Sequence, residues 1–475
     1  MVLIIYAVDF VIAFTVIFLE RKNPSATLAW IMILFLLPGV GILLYFLLSQ
    51  NIARKKIFKM TQHERDMVED PVAKQVNAMK VDRFRYVNES EAKWKGLIRM
   101  NQTFAKSYLT QHNTVAIITD GNHMFESLLS DIRRARNFID MEFFIVKNDE
   151  TGRRLIKALT EKAMEGVRVR FLIDALGSRR QDPECIQEFR KAGGMLAYFF
   201  PPKFKYLNLR FNYRNHRKIT VIDGRIGYLG GFNIGNEYLG RKKKFGYWRD
   251  THIRMTGESL RHLSARFILD WRMSSGERMA LDQAYFESVD RTGNTAIQIV
   301  SSGPDSLKEE IRIGYLKMIS SAKKNIFIQT PYFIPDNSMF DSLNMAALSG
   351  VDVRIMIPSI PDHIFVYWAT YYYCGLLIKS GAKVYIYDNG FLHAKTMSVD
   401  GEICSVGSAN FDIRSFRLNF ETNAFIYDSG EAYKLEAIFE GDMGHCHELT
   451  RALYARRPLW IRFKEGIAKL LSDLL

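Results

Sequence analysis

The chain has 475 residues, 48% of them hydrophobic and 13% aromatic, which is enough for two or three domains with sizeable cores. It carries 65 lysines and arginines against 51 aspartates and glutamates. The net charge of +14 favours anionic partners, namely nucleic acid, acidic lipid surfaces or phosphorylated substrates. The four cysteines include no C-x-x-C pair, which argues against a disulfide framework and favours reduced cysteines facing the cytosol.

Two apolar segments begin the chain. Residues 2–19 contain a single charge, Asp9, and residues 27–48 contain none. Because a membrane-spanning helix needs about 20 mostly apolar residues, residues 1–50 are predicted to form a transmembrane helical hairpin. A secretory signal peptide fits poorly, since no basic stretch precedes the first segment and no cleavage site follows it. Basic residues after the second segment predict a multi-pass plasma-membrane protein whose C-terminal portion faces the cytoplasm.

The rest of the chain changes character twice. Residues 51–109 are polar and mixed in charge, and they are predicted to form a helical, membrane-proximal connector. After them, apolar β-rich runs alternate with helical patterns, which indicates layered α/β structure. The predicted strands lie at 138–146, 167–174, 195–200 and 218–223, and the predicted helices include 124–136 and 153–166.

The α/β pattern occurs twice. NIFIQTPYFIP at 325–335 repeats the character of NFIDMEFFIV at 137–146, and GVDVRIMIP at 350–358 repeats GVRVRFLID at 166–174. Residues 110–290 and 291–450 are therefore predicted to be two copies of one unit, related by a pseudo-twofold axis. Residues 451–475 have apolar positions at helical spacing. They predict an amphipathic C-terminal helix that either lies on a membrane surface or docks on the core.

Each copy carries the same five-residue motif at the same spacing. The motif residues are His216, Lys218, Asp223, Gly230 and Asn233 in the first copy, and His393, Lys395, Asp400, Gly407 and Asn410 in the second. Residues two apart on a strand point to the same face. Two copies meeting about a twofold axis are therefore expected to bring two imidazoles, two ammonium groups and two amides to one pocket suited to a phosphate group.

Paired imidazoles predict a covalent mechanism. A neutral imidazole attacks phosphorus and forms a phosphohistidine, while a protonated one donates to the leaving alkoxide. The lysines and asparagines are expected to hold the non-bridging oxygens, and no metal site is predicted. Asp250 and Glu421 are candidates to orient the imidazoles. Asp223 and Asp400 are expected to have a structural role beside their glycine turns.

The doubled H-x-K-x4-D motif resembles that of the phospholipase D superfamily. Together with NYRNHRKI, GYWRDTHIR, PDHIFVYWAT, FLHAKT and RSFRLNFE, and with the apolar N-terminus, it is similar to the bacterial cardiolipin synthases. The resemblance implies two α/β/α sandwich units. It implies that two phosphatidylglycerol molecules are joined into cardiolipin with release of glycerol, without a cofactor.

The resemblance also assigns residues by position. The catalytic set is His216, Lys218, Asp223, His393, Lys395 and Asp400, and the phosphate-binding set is Asn233, Asn410 and Ser408. Gly231 stands opposite Ser408 and lacks its hydroxyl. The wider superfamily favours the first histidine as the nucleophile.

Two other functions remain open at this stage. A phosphodiester hydrolase of the same superfamily would use the same residues with water as the acceptor. A non-catalytic membrane protein would only bind anionic lipid, but two intact His-Lys pairs speak against it. The expected partners are phosphatidylglycerol, cardiolipin and membrane lipids, and no nucleic acid. Phosphatidylethanolamine as donor lipid, glycerol as acceptor, and a homo-oligomer all remain compatible with the sequence.

Overall fold

The computed structural model describes residues 10–12, 14, 24–48, 57–201, 212–277, 279, 291 and 293–472. Most of the first predicted apolar segment, residues 2–19, therefore lies outside the described residues. The described α-helices are Pro24–Leu36, Val40–Leu48, Gln62–Lys80, Glu89–Lys93, Lys95–Ala105, Gly121–Arg134, Glu150–Met164, Pro183–Lys191, Leu260–Ser275, Glu310–Ser321, Asn337–Leu348, Ile364–Leu377, Ile413–Arg417, Ser429–Met443, Arg451–Ala455 and Leu459–Leu471.

The strands are numbered in chain order. They are β1 Thr110–Ile118, β2 Phe138–Phe143, β3 Arg168–Asp174, β4 Met195–Phe199, β5 Arg214–Asn215, β6 Ile219–Ile222, β7 Ile226–Gly230, β8 Trp248–Arg249, β9 His252–Gly257, β10 Thr295–Ser302, β11 Asn325–Gln329, β12 Phe333–Ile334, β13 Asp352–Pro358, β14 Lys383–Tyr387, β15 Phe391–Leu392, β16 Thr396–Val399, β17 Ile403–Gly407, β18 Phe411–Asp412, β19 Asn419–Tyr427 and β20 Cys446–Glu448.

One mixed sheet of 16 strands runs through the described residues. Its order is β20-β14-β13-β11-β16-β17-β19-β10-β1-β9-β7-β6-β2-β3-β4, and β5 pairs with β19 off this path. Read outwards from the antiparallel β1–β10 pair, the seven strands of the first half follow the same order as the first seven strands of the second half, which adds β20 at its edge. In that central pair Thr110 lies opposite Ile297. The predicted duplication and its pseudo-twofold relation are therefore visible in the sheet itself.

Helices cover both faces of each half. Successive strand residues point to opposite faces, and the core follows this alternation. Met141 of β2 packs in a core with the helices after β1 and β2, whereas Phe138 packs with the helix after β9. In the second half Ile328 of β11 faces the helix after β10, and Phe327 stacks on Phe439 of the helix after β19. The α/β/α sandwich expected from the resemblance is thus present in both halves.

The second apolar segment is not one continuous helix. Two helices meet at Pro38 and Gly39, where proline lacks an amide hydrogen and Gly39 has a positive φ of 79°. The second helix folds back on the first, so that the rings of Trp30 and Tyr45 meet edge to face at 5.4 Å. The prediction of a single span over 27–48 is therefore wrong. In the part of the chain that the structure describes, no helix combines the length and apolarity needed to cross a bilayer.

The connector and the C-terminal segment both pack on the second half. Trp94, between the two short helices of the connector, and Leu97, in the second of them, share a core with Tyr315. Ala468 of the C-terminal helix packs among residues of the second half that include Ala369. The predicted domain boundaries at 50, 109, 290 and 450 stay a prediction.

Candidate active site

Each motif histidine is placed by a strand that pairs with the opposite half of the chain. β5, directly before His216, pairs in parallel with the first residues of β19. β15, directly before His393, pairs in parallel with β8. The His216 amide donates to the Phe420 carbonyl at 3.0 Å, and the His393 amide donates to the Arg249 carbonyl at 2.7 Å. The backbones of the two halves therefore interlock at the site.

The imidazoles and their carboxylate partners are crossed between the halves. Nδ1 of His216 lies 2.9 and 3.0 Å from the two carboxylate oxygens of Glu421 in the second half. Nδ1 of His393 lies 2.6 Å from Oδ2 of Asp250 in the first half. The structure thus brings together all four of these residues predicted from the sequence, and each carboxylate serves the histidine of the other copy.

Burial and charge fix the protonation of these pairs. Burial lowers the pKa of His216, and it lowers the pKa of His393 to about 4. Burial alone would raise the pKa of Asp250, but Lys395 and His393 outweigh it and hold that pKa below its ordinary value. Ionised carboxylates therefore accept the Nδ1–H of neutral imidazoles. This tautomer leaves Nε2 with a lone pair for a substrate.

The motif lysines lie behind the imidazoles. Both are almost completely buried, and each turns back so that Nζ donates to the carbonyl of its own histidine, at 2.7 Å for Lys218 and His216 and similarly for Lys395 and His393. Burial lowers the pKa of Lys218 to about 7 and that of Lys395 to about 8.

This arrangement corrects the expectation that histidine and lysine share one strand face. Residues 216–218 and 393–395 lie between strands. The short strand before each segment pairs with a strand of the other half, and the strand after it pairs within its own half.

Both imidazoles and both motif amides line one cavity of about 710 Å³. Its wall also contains cationic and acidic side chains that the sequence analysis did not single out, namely Lys147, Arg214, Arg414, Glu237, Asp362 and Asp412. Arg214 precedes His216 by two residues and Asp412 follows Asn410 by two. In the sequence, only their closeness to the motif pointed to these residues, and closeness alone does not distinguish a cavity-lining residue from a surface residue.

The two asparagines differ in their hydrogen bonding. Oδ1 of Asn233 accepts from the Ile145 amide at 3.2 Å. Oδ1 of Asn410 is buried and has no hydrogen-bond partner among the residues described. Because a buried polar atom without a partner is costly, Asn410 is ready to bind a polar group of a ligand.

Ser408 does not line the cavity, in contrast to the phosphate-binding role that the resemblance implied. Its hydroxyl is completely buried and donates to Oε2 of Glu421. Gly231 occupies the equivalent place in the first half. A Cβ there would lie 1.9 Å from Oδ1 of Asp250, so the shorter aspartate carboxylate fills the space of the missing side chain. Ser408 therefore supports the Glu421 carboxylate.

Asp223 and Asp400 lie at the far ends of β6 and β16 from the histidines. Asp223 accepts from the backbone amides of residues 136–138 at 2.7–2.8 Å, and Asp400 accepts from those of residues 323–325 at 2.7–3.1 Å. Both have positive φ angles, of 53° and 58°. The geometry corrects their place in the catalytic set and agrees with the structural role expected from their position.

No group of three His, Cys, Asp or Glu side chains is arranged to hold a metal ion within the residues described. His447, from the adjacent His445-Cys446-His447 run, instead places Nδ1 2.6 Å from Oδ2 of Asp388.

Comparison with known proteins agrees with this geometry. A family described as "Cardiolipin synthase, PLD-like domain" matches residues 128–254 and again 315–443, and one described as "Phospholipase_D-nuclease N-terminal" matches 7–50. Cardiolipin synthase of Staphylococcus aureus (strain N315) is 49% identical over 471 residues, covering 99% of this chain and 95% of that protein. Major cardiolipin synthase ClsA of Bacillus subtilis (strain 168) is also 49% identical, with 99% and 98% covered.

A solved structure shares the fold. The phosphatidylserine synthase of Haemophilus influenzae Rd KW20 superposes with a TM-score of 0.62 at 16% identity, covering 82% of this chain and 100% of that one. A doubled α/β/α unit with paired H-x-K motifs defines an enzyme of the phospholipase D superfamily. Within that superfamily, the chain belongs to the cardiolipin synthase family.

Proposed function

We propose that the protein transfers a phosphatidyl group from one phosphatidylglycerol molecule to another, giving cardiolipin and glycerol through a phosphohistidine. The observation that carries this proposal is the pair of crossed imidazole–carboxylate contacts on one cavity. In both pairs Nδ1 faces a carboxylate, which leaves the lone pair of Nε2 for a substrate, and both histidines line the cavity. Such a site can bind one phosphate between two groups able to exchange a proton.

In the first step the Nε2 lone pair of His216 attacks phosphorus of the donor lipid. A P–N bond forms and the P–O bond to the glycerol headgroup breaks. His393, protonated when the anionic phosphodiester is bound, gives its proton to the departing glycerol oxygen. Glu421 stabilises the positive charge that His216 gains, because it accepts the Nδ1–H with both oxygens.

In the second step the acceptor lipid enters the space that glycerol has left. Neutral His393 takes the proton of the headgroup hydroxyl, and that oxygen attacks phosphorus. The P–N bond breaks, cardiolipin forms, and both histidines return to their starting states. One phosphodiester replaces another, so the exchange needs no energy-rich cosubstrate.

The charged wall of the cavity supports a glycerol headgroup as substrate. Arg214 and Arg414 can balance the phosphate charge. Asp362 and Asp412 present carboxylates that accept hydrogen bonds from hydroxyl groups, and burial raises the pKa of Asp412 to about 6. The unpaired Oδ1 of Asn410 is a further acceptor on the same wall. We assign Asn233 and Asn410 to binding of the phosphate and the headgroup.

We further propose that the apolar N-terminus attaches the enzyme to the plasma membrane with its catalytic units in the cytoplasm. Leu28, Met32, Phe35 and Leu43 of the two N-terminal helices are exposed, which leaves an apolar surface without protein cover among the residues described. A lipid substrate and the overall positive charge suit an anionic membrane surface.

The deciding experiment incubates the purified chain with headgroup-labelled and acyl-labelled phosphatidylglycerol in the presence of a metal chelator. Cardiolipin with an equal amount of glycerol is the expected result. Phosphatidic acid without cardiolipin would identify a hydrolase, and no product would overturn catalysis. His216→Ala or His393→Ala should lower the rate more than about 10³-fold and leave membrane attachment intact. Acid-sensitive label on a peptide containing His216 should appear in the parent chain.

The pH profile gives an independent test. At low pH the nucleophilic imidazole becomes protonated and kcat/KM falls. At high pH His393 no longer carries the proton that the leaving glycerol needs, and Lys218 and Lys395, with pKa values of about 7 and 8, lose their positive charge behind the imidazoles, so that kcat/KM falls again. A rate that stays flat from about pH 5 to 9 would contradict the two-histidine scheme.

A further inference from the structure

The C-terminal helix Leu459–Leu471 exposes an apolar stripe although it is already docked on the protein. Its inner face carries Ala468 and Glu465, both buried, and Glu465 is held by Arg457 at 2.8 Å. The stripe consists of Leu459, Trp460, Phe463, Ile467 and Leu470, which at 100° per residue fall within an arc of about 100°. Leu459 and Leu470 are 79% and 80% exposed, and Trp460 is 63% exposed. Docking of the helix on the core therefore leaves this apolar stripe exposed.

The charges around the stripe are strongly biased. Residues 451–475 contain six lysines and arginines against two acidic residues, Asp473 and Glu465, and Arg457 neutralises Glu465. Arg462 and Lys469 lie along one edge of the stripe, and Lys464 lies along the other with its ammonium group over the ring of Trp460. An apolar stripe with basic edges and an exposed aromatic pair matches the interface of an anionic bilayer.

The stripe lies beside the catalytic cavity. Ser472, at the end of the same helix, lines the cavity, as do His363 and Val366 of the neighbouring helix. That neighbour packs along the C-terminal helix, and Lys464 also lies over its Trp368. Its first turn exposes Ile364 and Phe365 next to the cavity-lining residues.

We propose that the stripe is a membrane-docking surface that lays the cavity against an anionic bilayer, so that lipid headgroups reach the histidines while their acyl chains stay in the membrane. The partner is the lipid surface and not a second copy of the chain, because the basic edges would repel the same edges of a copy. This inference concerns attachment at the cavity, separate from the N-terminus, and only its activity test rests on the proposed function.

The first test places a spin label on the full chain at Phe463→Cys and, as a matched control, at Met164→Cys. Met164 is 71% exposed on the opposite half of the protein. The unsubstituted chain is treated with the same label, and its signal, which comes from the native cysteines, is subtracted. In vesicles of phosphatidylglycerol and phosphatidylcholine, the label at 463 should collide more with oxygen than with a water-soluble nickel complex, and the label at 164 should do the reverse. Equal water contact at both positions would overturn the proposal, as would label–label broadening at 463 in detergent without lipid.

The second test measures activity. The double variant Trp460→Gln/Phe463→Gln should lose about tenfold or more of the rate on long-chain phosphatidylglycerol in vesicles. It should keep its rate on a dispersed short-chain phosphatidylglycerol, because the histidines are untouched. The control Met164→Gln/Leu307→Gln removes two exposed apolar side chains elsewhere, 71% and 78% exposed, and should keep both rates. Unchanged vesicle activity in the first variant would overturn the docking role. If the parent chain makes no cardiolipin from either substrate, the proposed function fails, and the spin labels still decide docking.

Discussion

Replacing Glu421 with glutamine tests the crossed pairing directly. The carboxylate accepts the Nδ1–H of His216 with two contacts of 2.9 and 3.0 Å, and it also binds Ser408 and Asn419. In Glu421→Gln an amide hydrogen can face Nδ1, which favours the tautomer with the proton on Nε2. That tautomer has no lone pair at the position that attacks phosphorus. The loss therefore falls on His216, although the substitution lies in the other half of the chain.

The expected loss of rate in Glu421→Gln can be estimated from comparable substitutions. Exchange of an orienting carboxylate for an amide in a comparable histidine site costs about 10⁴ in kcat, and weaker outer contacts cost about 10- to 100-fold. Because two oxygens hold this ring, we expect a loss of about 10³- to 10⁴-fold, equivalent to about 4 to 5.5 kcal/mol of transition-state stabilisation.

Initial rates of cardiolipin formation measure the effect, and labelled phosphohistidine shows whether the first step is blocked. Glu421→Asp keeps the charge and should recover part of the rate. Glu436→Gln, a buried glutamate bound to the Gly401 amide, is the matched control and should keep its rate. An activity of Glu421→Gln within about tenfold of the parent would refute the orienting role.

Three further outcomes are expected. Asp400→Ala should lower the free energy of unfolding by about 2 to 4 kcal/mol, because the backbone amides that Asp400 binds lose their acceptor. The kcat of the folded fraction should stay within about threefold of the parent. A loss of kcat without a loss of stability would return Asp400 to the catalytic set. Gly231→Ser should cost about 100-fold in rate by displacing the carboxylate of Asp250, whereas Gly441→Ser, where a Cβ meets nothing within 4 Å, should not. Burial lowers the pKa of His252 to about 3. The unfolded chain therefore takes up a proton below about pH 6.5 that the folded chain does not, and about 2 kcal/mol of stability should be lost by pH 5. Urea titrations of the parent and His252→Gln at pH 7 and 5 measure this loss, and an equal loss in both chains would contradict the prediction.

The repeat made much of the fold predictable. The strands around 138–146 and 167–174 and their counterparts in the second half could be found because buried strands keep a period of two and the copy repeats it. The identities of Asp250 and Glu421 were also accessible, since each follows its motif at a similar distance. Which carboxylate faces which histidine was not accessible, because that depends on the two short strands that pair across the halves.

Other features depend on local geometry that residue type does not encode. The resemblance assigned Ser408 to the phosphate because it matches the family's serine, whereas its buried contact with Glu421 is visible only in the structure. The span predicted over 27–48 rested on hydropathy, which gives little weight to a turn at Pro38 and Gly39. The lysines at 218 and 395 were expected beside their histidines, but the crossing of the chain between ladders turns them inwards.

The interlocked histidines also constrain how such a molecule can arise and be divided. A fragment ending near residue 277 would possess an imidazole without its acceptor, and a fragment starting near residue 293 would have the complementary deficiency. A protein made of one repeat would need a second copy of itself to complete an active site, because each histidine takes its carboxylate partner from the other copy. In a single chain the two copies can differ from each other, as they do where one has Gly231 and the other has Ser408.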